Sequence, residues 1–488
     1  MMAKFVADLH LHSAYARATS RNLNFDTLSE WAKYKGISLL SSADFTHPVW
    51  WEETKKKLKE SESSGFYEYG GAHYVLGTEI SCIYSQGGKV RRIHCLLYFS
   101  EKSGVEKFNE ALGKIGNLKA DGRPIVGLSA KQLLEMALQV NEKTIFIPAH
   151  AWTPWFSLYG SNSGFDSIDE AFGDLAKYIY AIETGLSSDP AMNWRIPELD
   201  GRSIVSFSDA HSAPKMSREL TVFDSDFSYD GLLAALKSQS AVLGDQQSNS
   251  SPKRFRDESQ NALSERGKRG LPVETLAHEV VAEREAIYKL DQAHSQKSRE
   301  SKVAFTLEFF PEEGKYHFTG HRNCNVRHSP SETAKAGMIC PKCRRRLTIG
   351  VMHRVEQLAD KNRPEGFTPG NRPKYKNLVP LIEIISEAVG SPVTSPKVIE
   401  EYKKLVNYFD SEMNILMKAP LSDLEKQASV HRIVEGVRKV REGDIVIEPG
   451  YDGVFGVVKI WPSEAGIPSS EKPKQIVKQA EGQVGFFD

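Results

Sequence analysis

The segment VADLHLHSAYARATS, residues 6–20, carries the pattern that decides the fold. An apolar run typical of a β-strand leads into His10 and His12, two positions apart. Alternate residues of a strand point to the same side, so both imidazoles can bind one metal ion. The segment therefore predicts a strand whose end carries metal ligands.

Seven apolar segments of this kind, rich in Val, Ile, Phe and Tyr, are predicted to be strands. They cover residues 5–12, 37–47, 74–80, 91–99, 144–150, 178–185 and 203–211. Helical patterns lie between several of them, for example over 23–36 and 129–140. Alternation of strand and helix predicts a parallel sheet, and its repetition over this length predicts closure into an α/β barrel.

Nearly every predicted strand carries a histidine or carboxylate in or just beyond its apolar part. These residues are His10, His12, Asp44, His47, Glu79, His94, His150, Glu183, Asp209 and His211. A single histidine at a strand end is more often structural, and we interpret His73 in that way. Catalytic groups of β/α barrels gather at the C-terminal ends of the strands, so the repetition predicts a polynuclear metal site. A carboxylate such as Glu79 can bridge two ions, and imidazole-rich ligation suits zinc or manganese better than magnesium.

Three motifs in this order resemble the polymerase and histidinol phosphatase (PHP) superfamily. They are D-L-H-L-H-S at 8–13, G-T-E-I at 77–80 and S-D-A-H at 208–211. The resemblance covers about residues 4–240 and implies a distorted seven-stranded β/α barrel that holds up to three divalent ions and hydrolyses phosphoesters. Such ions activate a water near neutral pH and neutralise phosphate charge. By matching position it implies a first ion at His10, His12, Glu79 and Asp209, a second at Glu79, His94 and His150, and a third at His47 and His211.

Arg17 departs from that superfamily, which usually has an acid at this position for the third ion. Either Asp44 substitutes, or the third site is weaker, or Arg17 binds the substrate phosphate through a bidentate contact. An ordinary surface arginine is a further alternative. We favour the phosphate contact.

The composition changes over residues 243–302, which are polar, charged and poor in apolar residues. That composition predicts a linker or disordered insertion, with one amphipathic helix over 271–290 to which we assign no function. A zinc-binding module is predicted next, because fifteen residues separate His321-x2-Cys324 from Cys340-x2-Cys343. His317 or His328 are alternatives to His321. Beside this structural zinc site lie four cations, Lys342, Arg344, Arg345 and Arg346. They could contact a phosphate or form a solvated basic loop.

Residues 378–440 are predicted to be helical, with apolar stripes that form a core, and 441–461 to form two short strands around a glycine-rich turn. The second stretch resembles a segment of superfamily 1 DNA helicases, yet no GxxxxGK[ST] loop occurs, so no ATP use is implied. The final QVGFFD resembles the peptide by which bacterial repair proteins bind the sliding clamp. Its contact residues would be Gln483, Val484, Phe486 and Phe487; packing of this tail on its own domain is the alternative.

Whole-chain properties exclude little else. Lys and Arg together number 63, as do Asp and Glu, so DNA contact would depend on local patches. Three of the five cysteines belong to the zinc pattern, while Cys82 and Cys95 stand apart, which favours metal binding over disulfides. No signal peptide or membrane span is predicted, and we expect a cytoplasmic protein.

The order of these parts resembles the endonuclease Q family. The predicted domains are a PHP barrel (1–242), a linker (243–302), a zinc-binding module (303–360), a helical domain with a short hairpin (361–465) and a flexible tail with the clamp-like peptide (466–488). The resemblance implies a DNA-repair endonuclease that cleaves on the 5′ side of hypoxanthine, uracil, xanthine and abasic sites. We expect Glu79 and Asp209 to organise two to three divalent ions, zinc with manganese or magnesium as alternatives, and we count His211 and Arg17 among the catalytic residues.

Base extrusion is expected in such an enzyme, and the aromatics after His150 are candidates to stack on bases. These are Trp152, Trp155, Phe156 and Tyr159, with ordinary packing as the alternative. Two other functions stay open at this point: a small-molecule phosphoesterase and a non-catalytic scaffold for DNA and the clamp. The former leaves the zinc pattern and the tail without a use.

Overall fold

The computed structural model of the protein describes residues 3–248 and 301–462. The predicted helix 271–290, most of the predicted linker and the clamp-like peptide at 483–487 lie outside these ranges.

The described residues form a mixed α/β structure. The strands are β1 (Ala3–Asp8), β2 (Leu39–Ser41), β3 (Lys59–Glu60), β4 (Tyr67–Tyr69), β5 (Ala72–Gln86), β6 (Lys89–Phe99), β7 (Ile125–Val126), β8 (Ile145–Pro148), β9 (Ala181–Glu183), β10 (Ser203–Val205), β11 (Leu220–Ser225), β12 (Lys302–Glu308), β13 (Thr319–His321), β14 (Val326–His328), β15 (Lys374–Asn377), β16 (Val446–Glu448) and β17 (Val457–Lys459). The α-helices are α1 (Phe25–Lys35), α2 (Pro48–Lys57), α3 (Lys102–Gly113), α4 (Ala130–Val140), α5 (Ile168–Phe172), α6 (Pro190–Trp194), α7 (Tyr229–Ser248), α8 (Pro330–Ala336), α9 (Val351–Leu358), α10 (Leu381–Val389), α11 (Pro396–Tyr408), α12 (Glu412–Met417), α13 (Leu421–Gln427) and α14 (His431–Glu442).

A barrel of seven strands forms in the order β1-β2-β5-β6-β8-β9-β10. Hydrogen-bonded ladders join the first five strands, and β9 pairs with β10. The amide of Ala151 donates to the carbonyl of Glu183 at 3.0 Å, which joins β8 to β9. The amide of Ala210 donates to the carbonyl of His10 at 3.3 Å, which joins β10 to β1. All seven predicted strands are therefore confirmed, and so is the α/β barrel.

The prediction of a parallel sheet is wrong for one strand of the barrel, β6. β5 runs antiparallel to β6, and β6 antiparallel to β8. Only Gly87 and Gly88, both with positive φ, connect β5 to β6. A two-residue Gly-Gly turn joins antiparallel strands, whereas parallel neighbours need a crossover of a dozen or more residues.

The sheet continues beyond the barrel. β11 pairs antiparallel with β1, β12 antiparallel with β11, and β15 parallel with β12. Nearly all of β12 lies in the segment that the sequence assigns to the zinc-binding module, and β15 lies in the one assigned to the helical domain. One sheet therefore joins strands from the predicted barrel, zinc-binding module and helical domain. The boundaries themselves stay predictions.

The helical C-terminal region is confirmed, and it packs against the first helix of the barrel. Lys35 of α1 is buried and forms an ion pair with Glu412 of α12, Nζ to Oε2 2.6 Å. The hydroxyl of Tyr402 donates to the same carboxylate at 2.6 Å, and its ring stacks on Trp31 with 5.6 Å between centroids. Because a buried charge needs a partner, this contact fixes how the two parts meet. Within the described ranges no helix is long and apolar enough to cross a membrane.

Candidate metal centre

One rim of the barrel collects histidine and carboxylate side chains. Three groups each have ligand atoms within 4.8 Å of one another: His10 with His12 and Glu79; Glu79 with His94 and His150; and His12 with Asp209 and His211. The residues that the sequence singled out thus meet at one place. His10, His12, His150, Asp209 and His211 follow the ends of their strands, whereas Glu79 and His94 lie inside β5 and β6.

Glu79 lies between two of these groups. Its Oε1 is 2.6 Å from His94 Nδ1 and 3.2 Å from His150 Nε2. Its Oε2 is 3.3 Å from His12 Nε2 and 3.5 Å from His10 Nε2. The side chain is fully buried, and each oxygen faces a different pair of imidazoles. This is the geometry of a carboxylate that bridges two cations.

Two further carboxylates orient the histidines of the opening motif. Glu183 accepts from His10 Nδ1 at 2.9 Å, and Asp44 from His12 Nδ1 at 3.2 Å. Each therefore holds the proton on Nδ1 and leaves Nε2 free to bind a metal ion. Asp44 and Glu183 serve here as supports of ligands, which the sequence left undecided.

Unpartnered buried atoms show that the centre fits divalent cations. His10 Nε2, His12 Nε2 and Asp209 Oδ1 are buried without a hydrogen-bond partner, although His12 Nε2 and Asp209 Oδ1 are only 3.2 Å apart. Buried polar atoms normally find a partner. Imidazole nitrogens and carboxylate oxygens converging in this way form a donor set for zinc or manganese.

The electrostatics of the centre also favour cations. Burial lowers the pKa of His10, but the carboxylates around it, Glu183 first, outweigh burial and hold this pKa well above its ordinary value. Burial raises the pKa of Glu79, yet His94 and Arg123 outweigh it and keep this pKa well below its usual range. Burial lowers the pKa of His94 to about 4, so that imidazole is neutral. The carboxylates are thus ionised and His94 is neutral, as metal binding requires, and a cation bound at His10 would take the place of its proton.

Asp209 is held in a left-handed backbone conformation, with φ of +46°. Arg218 fixes this turn, because its Nε donates to the carbonyl of Ser208 at 2.8 Å and its Nη2 to that of Asp209 at 3.1 Å. Asp8 accepts from the amide of Ser208 at 3.0 Å on the other side. His150 also has positive φ, and a Cβ on Gly185 would lie 2.3 Å from its Cβ. Such strained residues cluster at functional sites.

The zinc pattern also converges. Ligand atoms of His321, Cys324, Cys340 and Cys343 lie within 4.8 Å of one another, with Cys343 Sγ 3.3 Å from His321 Nδ1. Neither alternative histidine joins this group: His317 is buried elsewhere, and His328 lies on β14. Three sulfur atoms and one nitrogen form a closed tetrahedral set, which is typical of structural zinc.

One family model and two relatives match parts or most of this chain. Residues 380–444 match the family model described as MJ0043 C-terminal domain. A Bacillus subtilis protein, YqxK, is 28% identical over 483 residues, 94% of this chain and 100% of that protein. The Methanocaldococcus jannaschii protein MJ0043 is 27% identical over 324 residues; the match covers 64% of this chain but only 32% of that relative.

Two solved structures resemble nearly the whole chain. The lesion-specific endonuclease PfuEndoQ from Pyrococcus furiosus has 26% sequence identity and a TM-score of 0.71, covering 94% of this chain and 95% of that one. Endonuclease Q in complex with a 27-mer duplex substrate that has an abasic lesion at the active site has 27% identity and a TM-score of 0.72, covering 95% and 98%. The protein is endonuclease Q-like.

Two predicted site residues of this endonuclease Q-like protein lie apart from the three groups. The side chain of Arg17 is 81% exposed, with its Nε 3.9 Å from Asp121. His47 is the N-cap residue just before α2 and stacks on Tyr15 at 4.5 Å, with a buried, unpartnered Nδ1. Among the described residues, neither has a ligand atom in any of the three groups.

Arg123 is a charged residue at the centre that the sequence did not indicate. Its Nη1 donates to Glu79 Oε2 at 3.0 Å, and its side chain is 23% exposed. The amides of both Arg17 and Arg123 donate to Asp121 Oδ1, so one turn directs Arg123 inward and leaves Arg17 outside. Arg123 lies in a loop between α3 and β7, where no periodicity or motif identifies it.

The four aromatics after His150 divide into two pairs. Trp152 and Tyr159 are fully buried; Trp152 donates to Asn193 and Tyr159 to Glu198. These two residues pack in the core, which was the alternative to stacking on bases. Trp155 and Phe156 are half-buried at the rim, and the Phe156 ring lies 4.8 Å from that of His94. Only this second pair is placed to contact a substrate.

Proposed function

We propose that this protein is a metal-dependent DNA-repair endonuclease that hydrolyses the phosphodiester on the 5′ side of deaminated bases and abasic sites. The observation that carries the proposal is Glu79, whose two oxygens face two separate imidazole pairs in the barrel of an endonuclease Q-like chain. The relative whose complex holds an abasic duplex supports DNA as the substrate.

The proposed metal set is two to three divalent ions in the barrel and one structural Zn²⁺ at His321, Cys324, Cys340 and Cys343. In the barrel the ligands are His10, His12, His94, His150, His211, Glu79 and Asp209, with His47 a further candidate. We infer zinc with manganese or magnesium as alternatives. When bound, such ions lower the pKa of a water and neutralise phosphate charge.

The remaining groups of the chain would hold and orient the substrate. Arg123 offers further N–H donors beside its bond to Glu79, and a guanidinium suits a phosphate oxygen. We propose that it binds the scissile phosphate, the role that the sequence had assigned to Arg17. Phe156 lies beside His94, and with its neighbour Trp155 it can receive a base that leaves the helix.

The clamp-like residues Gln483, Val484, Phe486 and Phe487 lie outside the described ranges, and sliding-clamp binding rests on the sequence alone. We propose this contact, in the cytoplasm, as the means by which the enzyme reaches replicated DNA. Deleting residues 483–488 should abolish clamp binding in a pull-down and leave nicking of a short duplex unchanged.

A nicking assay tests the function. Labelled duplexes with one deoxyinosine, one deoxyuridine, one abasic site or no lesion are incubated with protein that has been stripped with EDTA and reloaded with Zn²⁺, Mn²⁺ or Mg²⁺. Nicks 5′ of the lesion, absent from the Asp209→Ala variant, are expected. Hydrolysis of p-nitrophenyl phosphate without any nick would favour a small-molecule phosphoesterase instead. DNA binding without either activity would favour a scaffold.

A further inference from the structure

A continuous series of aromatic and cationic side chains extends from the metal centre to the hairpin of β16 and β17. It begins at Phe156, whose ring is 4.8 Å from that of His94 and 5.6 Å from the guanidinium of Arg92. The neighbouring Trp155 contacts Tyr316 edge to face, with 5.6 Å between centroids. Lys315 Nζ then lies 5.6 Å from the Tyr316 ring and 5.7 Å from that of Phe455.

Phe455, at the far end of this series, is exposed in an unusual way. Its exposed fraction is 69%, the highest among the large apolar side chains of residues 3–248 and 301–462. An exposed phenylalanine at the tip of a turn, between two exposed valines, forms an apolar patch that calls for a partner. Packing among residues 3–248 and 301–462 does not account for it.

The turn that carries Phe455 is rigid. Gly453, with φ of +85°, donates its amide to the carbonyl of Lys315 at 2.7 Å, and Gly456 donates to that of Glu313 at 3.0 Å. Asp452 accepts from the amide of Arg322 at 2.7 Å, and the Tyr451 hydroxyl donates to Asn325 at 2.6 Å. The hairpin is thus fixed on the zinc-binding segment, so Phe455 is presented without much loss of conformational entropy on binding.

Exposed cations lie beside this tip and on the zinc knuckle of the same segment. Lys315, Arg322 and Arg327 are exposed beside the turn, and Lys342 with Arg344, Arg345 and Arg346 are exposed on the zinc knuckle. Arg327 Nη1 donates to the carbonyl of Pro449, which ties the basic segment to the hairpin. Burial raises the pKa of Glu312 to about 7 and that of Glu313 to about 8, which reduces the negative charge of these two neighbouring acids near neutral pH. Aromatic rings interleaved with cations suit bases and phosphates.

We propose that Arg92, Trp155, Phe156, Lys315, Tyr316 and Phe455 form a DNA-binding strip that holds the flank of the substrate duplex, with Phe455 stacking on a base at its far end. This inference rests on the proposed function, because it names the surface on which the substrate of the metal centre extends. The strip would position the scissile phosphate at the rim by binding DNA at a distance from it. Small phosphoesters would gain nothing from it.

The test compares Phe455→Ala with Phe455→Trp and with a matched control, Tyr408→Ala. Tyr408 is 60% exposed on α11, remote in sequence from the strip. Dissociation constants for a labelled lesion-containing duplex are measured by fluorescence anisotropy, with EDTA to prevent cleavage. Loss of one base–aromatic stack should weaken binding by Phe455→Ala roughly tenfold, while Phe455→Trp and Tyr408→Ala stay within about twofold of wild type. Lys315→Gln should lower the slope of log affinity against log salt by about one.

Outcomes for the strip and for the enzyme are separable. Nicking by the wild type together with equal binding by Phe455→Ala and Tyr408→Ala would overturn the strip alone. Binding that depends on Phe455 without nicking would overturn the endonuclease alone. Equal hydrolysis of p-nitrophenyl phosphate by Phe455→Ala and wild type is expected, and a matching loss there would show damage to the metal centre and refute the strip.

Discussion

Replacing Glu183 by Gln should weaken metal binding at the first barrel site without changing any ligand atom. Glu183 Oε2 accepts from the amide of His150 at 2.6 Å, while Oε1 accepts from His10 Nδ1 at 2.9 Å. In the variant, the glutamine is expected to keep its carbonyl oxygen beside the backbone amide of His150. The hydrogen bond to that amide is the shorter of the two, and an NH₂ group in its place would put two donors face to face. Its NH₂ then replaces Oε1, the nearer acceptor of His10 Nδ1, and leaves only the farther oxygen, at 3.1 Å, which the amide of His150 already occupies.

That reversal changes the tautomer of His10. With a donor at Nδ1, the neutral ring carries its proton on Nε2, the atom that faces Glu79 and Asp209. A protonated nitrogen cannot bind a metal ion. Loss of such a support typically costs about 10- to 100-fold in metal affinity. Asp44→Asn should act in the same way on His12, because Asp44 Oδ2 accepts from the amide of Ser13 at 2.6 Å.

Affinity for Zn²⁺ and Mn²⁺ is measured by competition with a chelator, and bound metal by mass spectrometry. The zinc of the Cys-rich site should stay at one per chain, which gives an internal standard. Glu219→Gln is the matched control: Glu219 is fully buried and both its oxygens lack a hydrogen-bond partner. Wild-type barrel affinity in Glu183→Gln would refute the orientation argument. An equal loss in Glu219→Gln would show that any buried amide disturbs the barrel.

Other replacements test the remaining assignments. Arg123→Gln should lower kcat/KM on a lesion-containing duplex about 10- to 100-fold, the value of a charge-assisted hydrogen bond. Arg17→Ala should change kcat/KM less than about threefold. The opposite order of effects would assign the phosphate contact to Arg17. Cys340→Ser should release the zinc of the Cys-rich site, detected with a chromogenic chelator, and lower the melting temperature, while barrel metal is retained; unchanged zinc content would refute the ligand set. Burial raises the pKa of Glu308 from 4.5 to about 8, so the folded chain keeps a proton that the unfolded chain loses. The free energy of unfolding should therefore fall as pH rises from about 5 to about 8, by about 1.4 kcal/mol per pH unit at most. Glu308→Gln should flatten this slope in urea titrations, and an unchanged slope would assign the protonation to another group.

Much of the candidate site could be predicted because metal ligands are chemically rare side chains at recurring positions. His10 and His12 follow from the two-residue spacing of a strand, and Cys340 and Cys343 from the spacing of a zinc knuckle. What these patterns could not give is the partner of each ligand. The ring of His10 is oriented by Glu183, 173 positions later in the chain, and no local pattern records such a distance.

The chain by itself determined the seven strands, the type of ligand at their ends and the helical C-terminal region, because apolar periodicity and residue chemistry are local properties. The tertiary structure decided the antiparallel pairing of β5 with β6 and the position of Glu79 between two pairs of imidazoles. It decided the turn at Asp121, which places Arg123 at the metal centre and leaves Arg17 on the surface. It also decided that Trp155, Lys315 and Phe455 share one surface. These features depend on how separate segments meet, and closure of the barrel and the docking of the hairpin fix that only after the chain has folded.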